Sequence, residues 1–518
     1  MSEEKTRTAF SDMVVLKNPQ RAGFFFDLKL PSYMRDWIVM KFSDSKGEID
    51  YDNVTAYMNK FVPTKEDYEK IKYNLKLGAV IKMLARVNLK VNLKKNIVEF
   101  EILGFGGKSN DAAGIVTDEV LERYADTLLK ETENWGIIEF ALGSTLVGDN
   151  ESTSCSSSNS FYKKLFGKNT INNCEEDIIS YKPNEIYLIG YKPFRPYRVD
   201  LEFYKNARKS FGIEEWIDVL ISAVDYNPKG FNSTDQKLAF LQRLLPFVEK
   251  NLNLIELAPP GTGKSYLFGQ ISRFGWLVSG KSTRAQLIYN KTNKREGVVA
   301  YKDYVAFDEI READYMKDTE MHSALQEIME NKQFKTDDGH VVNVDAGIVF
   351  LGNIEGNNMN EEKFMFDELP VPFHMTPFLD RLHGFIKGWE LPRMNDDMKA
   401  NGWALNSEYF SNILHELRSA SIYRAIVDEI LILPPKSDTR DTEAIRRICT
   451  AYIKLLFPNV NNSKDISPED FDYYCLQPAK KMRAIIRKQM GLLDSAEKGK
   501  TIPDIRTAGL ETTESDNQ

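Results

Sequence analysis

The spacing of apolar positions changes several times along the chain. Val87–Gly104 (VNLKVNLKKNIVEFEILG) alternates apolar and polar residues and breaks at Lys94-Lys95-Asn96, which predicts a hairpin with a basic turn. Before it, Ser43–Leu77 is polar and turn-rich, and the apolar spacing over Asp67–Arg86 predicts a helix. Thr117–Glu133 reads as a helix. Trp135–Leu142, Glu185–Tyr191 and Arg198–Phe203 read as strands. A short-stranded barrel of the OB type fits these pieces. Residues 147–180, with GDNESTSCSSSNS, are too polar to bury a core and are expected to form a mobile insertion.

From about Leu201 the spacing becomes helical, over Asn206–Phe211, Ile213–Val224 and Gln236–Asn251. Residues 252–395 then alternate short buried strands with helices, which predicts a parallel sheet. Residues 405–490 read as mostly helical, and the polar end, GLETTESDNQ, as disordered. The fold class expected is α/β, a parallel-sheet core with a helical lid behind a mixed α+β N-terminal domain. The expected division is an N-terminal domain over 1–204, a core over 205–400, a helical lid over 401–492 and a disordered tail over 493–518.

The chain has 518 residues and a net charge of −8, from 68 Lys+Arg and 76 Asp+Glu. That excludes a uniformly basic binder but leaves room for a local basic channel. No apolar run reaches the ~18–20 residues that span a bilayer, and Met1–Phe10 is too charged for a signal peptide. A cytoplasmic, reducing location without membrane contact is the expectation. Cys155, Cys174, Cys449 and Cys475 form no C-x-x-C pair, which argues against structural zinc.

Chemistry concentrates in the second half. In NLNLIELAPPGTGKSYLFGQ an apolar strand runs through a glycine-rich loop into a helix. Backbone N–H groups around Gly261, Thr262, Gly263 and Lys264 can wrap a triphosphate, and Pro260 and Tyr266 are counted with them as nucleotide-binding. Lys264 adds positive charge on the outer phosphates and Ser265 a ligand for Mg²⁺. YVAFDE ends a second strand in two acids: Asp308 to hold the Mg²⁺ shell, Glu309 to polarise an attacking water. GIVFLGN ends a third in Asn353, which can orient that water. In FLDR, Arg381 can reach a neighbouring subunit's nucleotide; the alternative is an ion pair with Asp380. In SDTRDTEAIRR, Arg440 opens a helix as a candidate phosphate sensor, with Arg446 and Arg447 as competitors.

This order of motifs over roughly residues 205–455 resembles that of AAA+ ATPases. Within them it resembles the BrxL family, Lon-related ATPases of BREX phage resistance. ARKSFGIEEWIDVLI, RLLPFVEKNLNLIELAPPGTGKS, YVAFDEI, FLDRLHGFIKGWELPRM and TRDTEAIRR carry the likeness. The resemblance implies ATP and Mg²⁺ as cofactors. It implies Lys264 and Ser265 as the Walker A pair, Asp308 and Glu309 as Walker B, Asn353 as first sensor, Arg381 as arginine finger and Arg440 as second sensor. It further implies a homo-oligomeric ring, a hexamer first of all, DNA binding, and a place in antiphage defence beside other phage-defence proteins. Long members carry a C-terminal Lon-like protease domain, and about 30 structured residues after the lid leave no room for one. No protease activity is therefore expected.

Glu327–Val344 reads as a helix followed by a hairpin with an Asp-Asp-Gly tip, flanked by Lys332, Lys335 and His340. The AAA+ core is similar to that of MCM-type helicases, which point such a hairpin into the pore; two tip acids set this one apart. DNA needs cations along its path. Candidates are Arg86, Lys90, Lys94 and Lys95; then Lys192, Arg195, Arg198, Lys205, Arg208 and Lys209 among aromatics; then Lys291–Arg295. The competing reading is a protein-remodelling ATPase of the unfoldase class, with Leu287, Ile288 and Tyr289 as an apolar pore loop.

Overall fold

The computed structural model describes residues 2–21, 24, 30, 32–44, 46–63, 67–92, 95–102, 105, 113–129, 134–147, 181–194, 197, 199–280, 282–292, 294–313, 318–337 and 339–510. The insertion expected over 147–180 lies, from residue 148, outside the described residues, as do Lys94, Arg195 and Arg198. Two compact units emerge: Phe42–Pro196, and Met1–Lys41 together with Tyr197–Gln518.

The first unit is a closed barrel of Ile81–Asn92, Ile97–Ile102, Gly114–Val116, Ile186–Pro193 and Asn134–Leu142, adjacent in that order. Val87, Leu89, Val98, Phe100, Ile138, Phe140 and Leu188 fill it, while alternate polar residues point out. The helix Asp118–Leu128 follows Thr117 and buries Val120, Leu121, Ala125 and Leu128 against the barrel residues. The helix expected over Asp67–Arg86 stops at Lys76. Gly78, at φ +88°, turns the chain, and beyond it Met83, Ala85, Val87 and Leu89 are buried at a two-residue period. That alternation makes the segment a strand.

The second unit holds a five-stranded sheet in the order Gly384–Lys387, Leu254–Ala258, Gly347–Asn353, Tyr304–Phe307, Gly275–Val278, every pair parallel. Leu254, Ala306, Val349 and Leu351 feed one core; Ile255, Leu257, Val305, Phe307, Ile348 and Phe350 feed the other. Both faces are therefore covered, which is why these strands read as continuous apolar runs. Helices Ser407–Arg418, Ile422–Ile430, Thr439–Leu456 and Gln477–Leu493 follow.

Three expectations change here. The opening 41 residues belong to this unit: Val14–Lys17 pairs antiparallel with Gly402–Leu405, and Phe10 and Val14 are core residues. Leu201–Phe203, expected as strand, begins the helix Leu201–Arg208, because the Asp200 carboxylate caps the amide of Phe203 at 3.0 Å. The tail expected from 493 is ordered through Leu510: Arg506–Thr507 pairs with Leu431–Ile432 and Ile505 is fully buried. Residues 511–518 lie outside the described residues.

Cys449 and Cys475 are buried free thiols; Cys155 and Cys174 are outside the described residues. Among the described residues there is no cluster of three metal-ligating side chains, and no helix is long and apolar enough to cross a membrane.

Candidate active site

The buried strand Leu254–Ala258 leads through Pro259–Gly263 into the helix Lys264–Gln270. Gly261 and Gly263 sit at φ +83° and +77°, where a side chain is strained. A Cβ on Gly263 would meet the Tyr226 hydroxyl at 1.9 Å, whereas the space around Gly261 is open. The loop carbonyls are tied from within. Arg243 Nη1 donates to Thr262 O at 2.8 Å, the Met394 amide to Gly261 O at 2.8 Å, and Tyr226 Oη to Gly263 O at 3.4 Å. Such a loop, with its carbonyls engaged, suits an anion at its amides.

Lys264 Nζ donates to Asn353 Oδ1 at 3.0 Å, joining the loop to the neighbouring strand end. Burial pulls the Lys264 ammonium below its ordinary range, partly opposed by the Glu256 carboxylate. One strand further, Tyr304–Phe307 ends at Asp308, whose amide donates to Val278 O at 3.0 Å. Glu309 is exposed and holds φ +50°, unusual for a side-chain-bearing residue, with its amide on Asp308 Oδ1 at 3.0 Å. Pro260, Gly261 and Ser265 are exposed; Thr262 is buried. Loop, acid pair and asparagine thus share the C-terminal edge of one parallel sheet, where such folds bind ligands. Ser265 and Asp308 offer the hard oxygen donors that suit Mg²⁺.

Tyr266, counted above as nucleotide-binding, carries hydrogen bonds of its own. Its hydroxyl lies 2.6 Å from Asp225 Oδ2 and 3.1 Å from Ser32 Oγ, directed at the N-terminal segment.

The two arginines sit elsewhere. The carbonyl of Arg381 accepts from Asn253 Nδ2 at 3.4 Å, at the start of the Leu254–Ala258 strand. The phosphate loop leaves the other end, about 16 Å away over five residues. Arg381 Nε lies 2.8 Å from Glu330; the ion pair with Asp380, weighed above as its alternative role, is made by Arg440, at 2.6 Å. Arg440 also meets Glu330 at 3.0 Å. Burial works against the charge of Asp380, but hydrogen bonds from Arg440 and Arg483 outweigh it and hold the carboxyl below its usual range. Arg440 is therefore grouped with Arg381, not with the loop of its own chain. Of its competitors, Arg446 pairs with Asp428 and Arg447 with Glu443.

Two short hairpins adjoin. Gln333–Lys335 pairs with Val341–Asn343, and Tyr289–Asn290 with Arg295–Glu296. Lys291 meets the tip residue Asp337 at 2.5 Å, His340 meets Glu296 at 3.0 Å, and the rings of Tyr289 and His340 stack. Asp338 is outside the described residues. Arg208, counted above as a DNA candidate, is buried and donates to the carbonyls of Leu456 and Phe211.

Sequence reasoning missed Arg243 and Glu256, a fully buried ion pair at 2.5 Å behind the loop. A charge in the middle of the apolar run NLNLIELAPP was the available signal.

A covered parallel sheet with a phosphate loop, an acid pair and an asparagine at adjacent strand ends has the makings of an ATPase domain. Residues 186–503 match the family model for the Lon-like protease BrxL-like ATPase domain, and residues 8–141 that for the BREX system Lon protease-like protein BrxL N-terminal region. The chain belongs to the BrxL family. It is 29% identical over 439 residues to the Lon-like protease BrxL of Escherichia coli O9:H4 (strain HS), covering 83% of this chain and 56% of the relative. It is 33% identical over 304 residues to the Lon-like protease BrxL of Bacillus cereus (strain H3081.97), covering 58% of this chain and 44% of the relative. The chain thus spans about half the length of the curated relatives it matches.

Proposed function

We propose that the chain is an AAA+ ATPase of the BrxL type that assembles into a ring, a hexamer, and binds or moves along DNA in BREX-type antiphage defence. The observation that carries this reading is the split of the site. Lys264, Ser265, Asp308, Glu309 and Asn353 share one edge of the sheet, while Arg381 lies at the other end, beyond reach of its own chain's loop. An arginine so placed serves a neighbouring subunit's nucleotide. In this reading the loop amides and Lys264 hold the triphosphate of ATP, and Ser265 and Asp308 would hold Mg²⁺, which supplies charge neutralisation when bound. Glu309 accepts the proton of the attacking water and Asn353 orients that water. Arg440 joins Arg381 on the trans side. Replacing Arg381 by Ala should leave ATP binding intact and lower hydrolysis by about 10³-fold or more, measured by nucleotide binding and phosphate release. Loss of binding would mark an ordinary structural arginine.

The DNA half of the proposal draws on the barrel. Its strand order, 1-2-3-5-4 with a helix between the third and fourth strands, supports the OB-type reading, a common nucleic-acid binder. On the outward positions Arg86 lies in register with the half-buried Trp135, Lys192 with Ile137, and exposed Lys90 follows Asn88. Cations interleaved with an aromatic suit backbone contact with base stacking. The unfoldase reading loses support, since Leu287, Ile288 and Tyr289 are core residues. Single-strand binding followed across salt should give a linear log–log slope. Removing Arg86, Lys90 and Lys192 together should flatten it by about 2. Absence of binding and of DNA-stimulated turnover at low salt would return the choice to a protein substrate.

A further inference from the structure

Glu330 is one carboxylate set against two arginines. Its Oε2 lies 2.8 Å from Arg381 Nε, and its two oxygens accept from Arg440 Nη2 at 3.0 and 3.2 Å. The three residues come from three elements. Glu330 is next to last in the helix Thr319–Asn331, Arg381 follows the short helix Thr376–Leu379, and Arg440 lies in the first turn of the helix Thr439–Leu456.

This junction is anchored in the core. Arg483 is fully buried and donates to Asp380 Oδ1, to Leu382 O and to Asp441 Oδ1, each at 2.6 Å. Asp380, held from behind in this way, accepts from Arg440 Nη1 at 2.6 Å. Arg440 passes the position on to Glu330, and Glu330 to Arg381. The charges along Arg483, Asp380, Arg440, Glu330 and Arg381 alternate in sign at every step. Both terminal nitrogens of Arg440 are thereby taken by carboxylates. Arg381 differs: Nε faces Glu330, Nη1 donates to Pro377 O, and Nη2 has no hydrogen-bond partner among the described residues. Burial pulls the Arg381 guanidinium below its ordinary value. The Glu330 carboxylate opposes that fall and the like charge of Arg440 adds to it. Without Glu330 the two guanidiniums would be left side by side and would turn apart. As an anion, Glu330 cannot itself meet a phosphate, so any part it plays runs through Arg381.

We propose that Glu330 is the positioning residue of the trans site: it joins Arg381 to the anchored Arg440, so that Arg381 is presented to a neighbouring subunit's triphosphate with Nη2 free to meet it. The proposal rests on the reading of Arg381 as serving a neighbour's nucleotide.

The test is steady-state ATP hydrolysis by the full chain. Glu330→Gln keeps the shape and removes the charge. It should lower kcat about ten-fold or more and leave KM for ATP within about two-fold, since the phosphate loop lies at the other end of the sheet. Glu330→Asp keeps the charge at a shorter reach and should recover part of the loss. The urea midpoint should barely move, because a partly exposed pair contributes little to folding. Co-expression of Glu330→Gln chains with Lys264→Ala chains gives the readout that a structural role would not move. Neither variant turns over well alone. In a mixed assembly, the intact Glu330–Arg381 edge of a Lys264→Ala chain meets the intact loop of a Glu330→Gln chain, and turnover per chain should exceed that of either variant by itself. A kcat near wild type in Glu330→Gln, or no gain on co-expression, would overturn the proposal. Arg381→Ala separates it from the reading beneath. If that variant keeps turning over, the trans arginine itself falls; loss there beside normal turnover in Glu330→Gln removes the role of Glu330 alone.

Discussion

With Glu309 replaced by Gln, the protein should still bind ATP but turn it over at about 10⁻² to 10⁻⁴ of the normal rate. The amide keeps the shape of the carboxylate and loses its basicity. Asp308 and Lys264 are untouched by the change, so binding should survive. Lys264→Ala should behave differently. It removes the ammonium that bridges the loop to Asn353, so affinity and turnover should fall together. Phosphate release under saturating ATP, set beside equilibrium binding, separates the two outcomes. Retained turnover in both variants would remove this sheet edge from the chemistry.

The second large effect concerns stability. Arg243 and Glu256 are wholly excluded from water and face each other through two contacts, Nε–Oε2 at 3.0 Å and Nη2–Oε1 at 2.5 Å. Burial opposes the guanidinium charge, and the Glu256 carboxylate more than restores it, holding Arg243 above its ordinary value. Arg243→Met leaves a buried carboxylate without a partner and should cost about 3–5 kcal/mol. Urea denaturation would report this as a lower midpoint. Replacing both residues by apolar ones of similar volume should recover much of the loss, since the orphaned charge is then gone. ATP affinity should stay reduced in the double variant. The hydrogen bond from Arg243 to Thr262 O, which fixes the loop, is absent there too. Full recovery of affinity would show that the pair serves folding alone.

How much was readable in advance follows the range of the interactions. The phosphate loop is a local object, a strand, a glycine turn and a helix within about twenty residues, and its parts lie where their spacing placed them. The acid pair and Asn353 were legible because each ends a buried strand, and parallel strands bring their ends together. Arg440 was not. Its position at a helix start suggested a phosphate, but its partners Asp380 and Glu330 are 60 and 110 residues away, and opposite charge at that range leaves no periodicity to read. The strand Ile81–Asn92 was misread at its start because Lys82 and Arg86 satisfy helical and alternating spacing alike. The N-terminal segment was assigned to the wrong neighbour for the same reason of range: Lys17 meets Ser407 across 390 residues.

That last contact bears on how the polypeptide is made. On the ribosome the first 41 residues emerge early, but the strand that Val14–Lys17 pairs with, Gly402–Leu405, is translated much later. Until then Phe10 and Val14 have no completed core to enter, and the Lys17 ammonium lacks Ser407. The barrel strands, by contrast, all lie within 81–193 and can associate while synthesis continues. Between the synthesis of the two strands, Phe10 and Val14 lack the pairing and core they have in the folded unit. Chaperone capture during translation, and sensitivity of yield to translation speed, are the expected consequences of pairing two strands so far apart in the sequence.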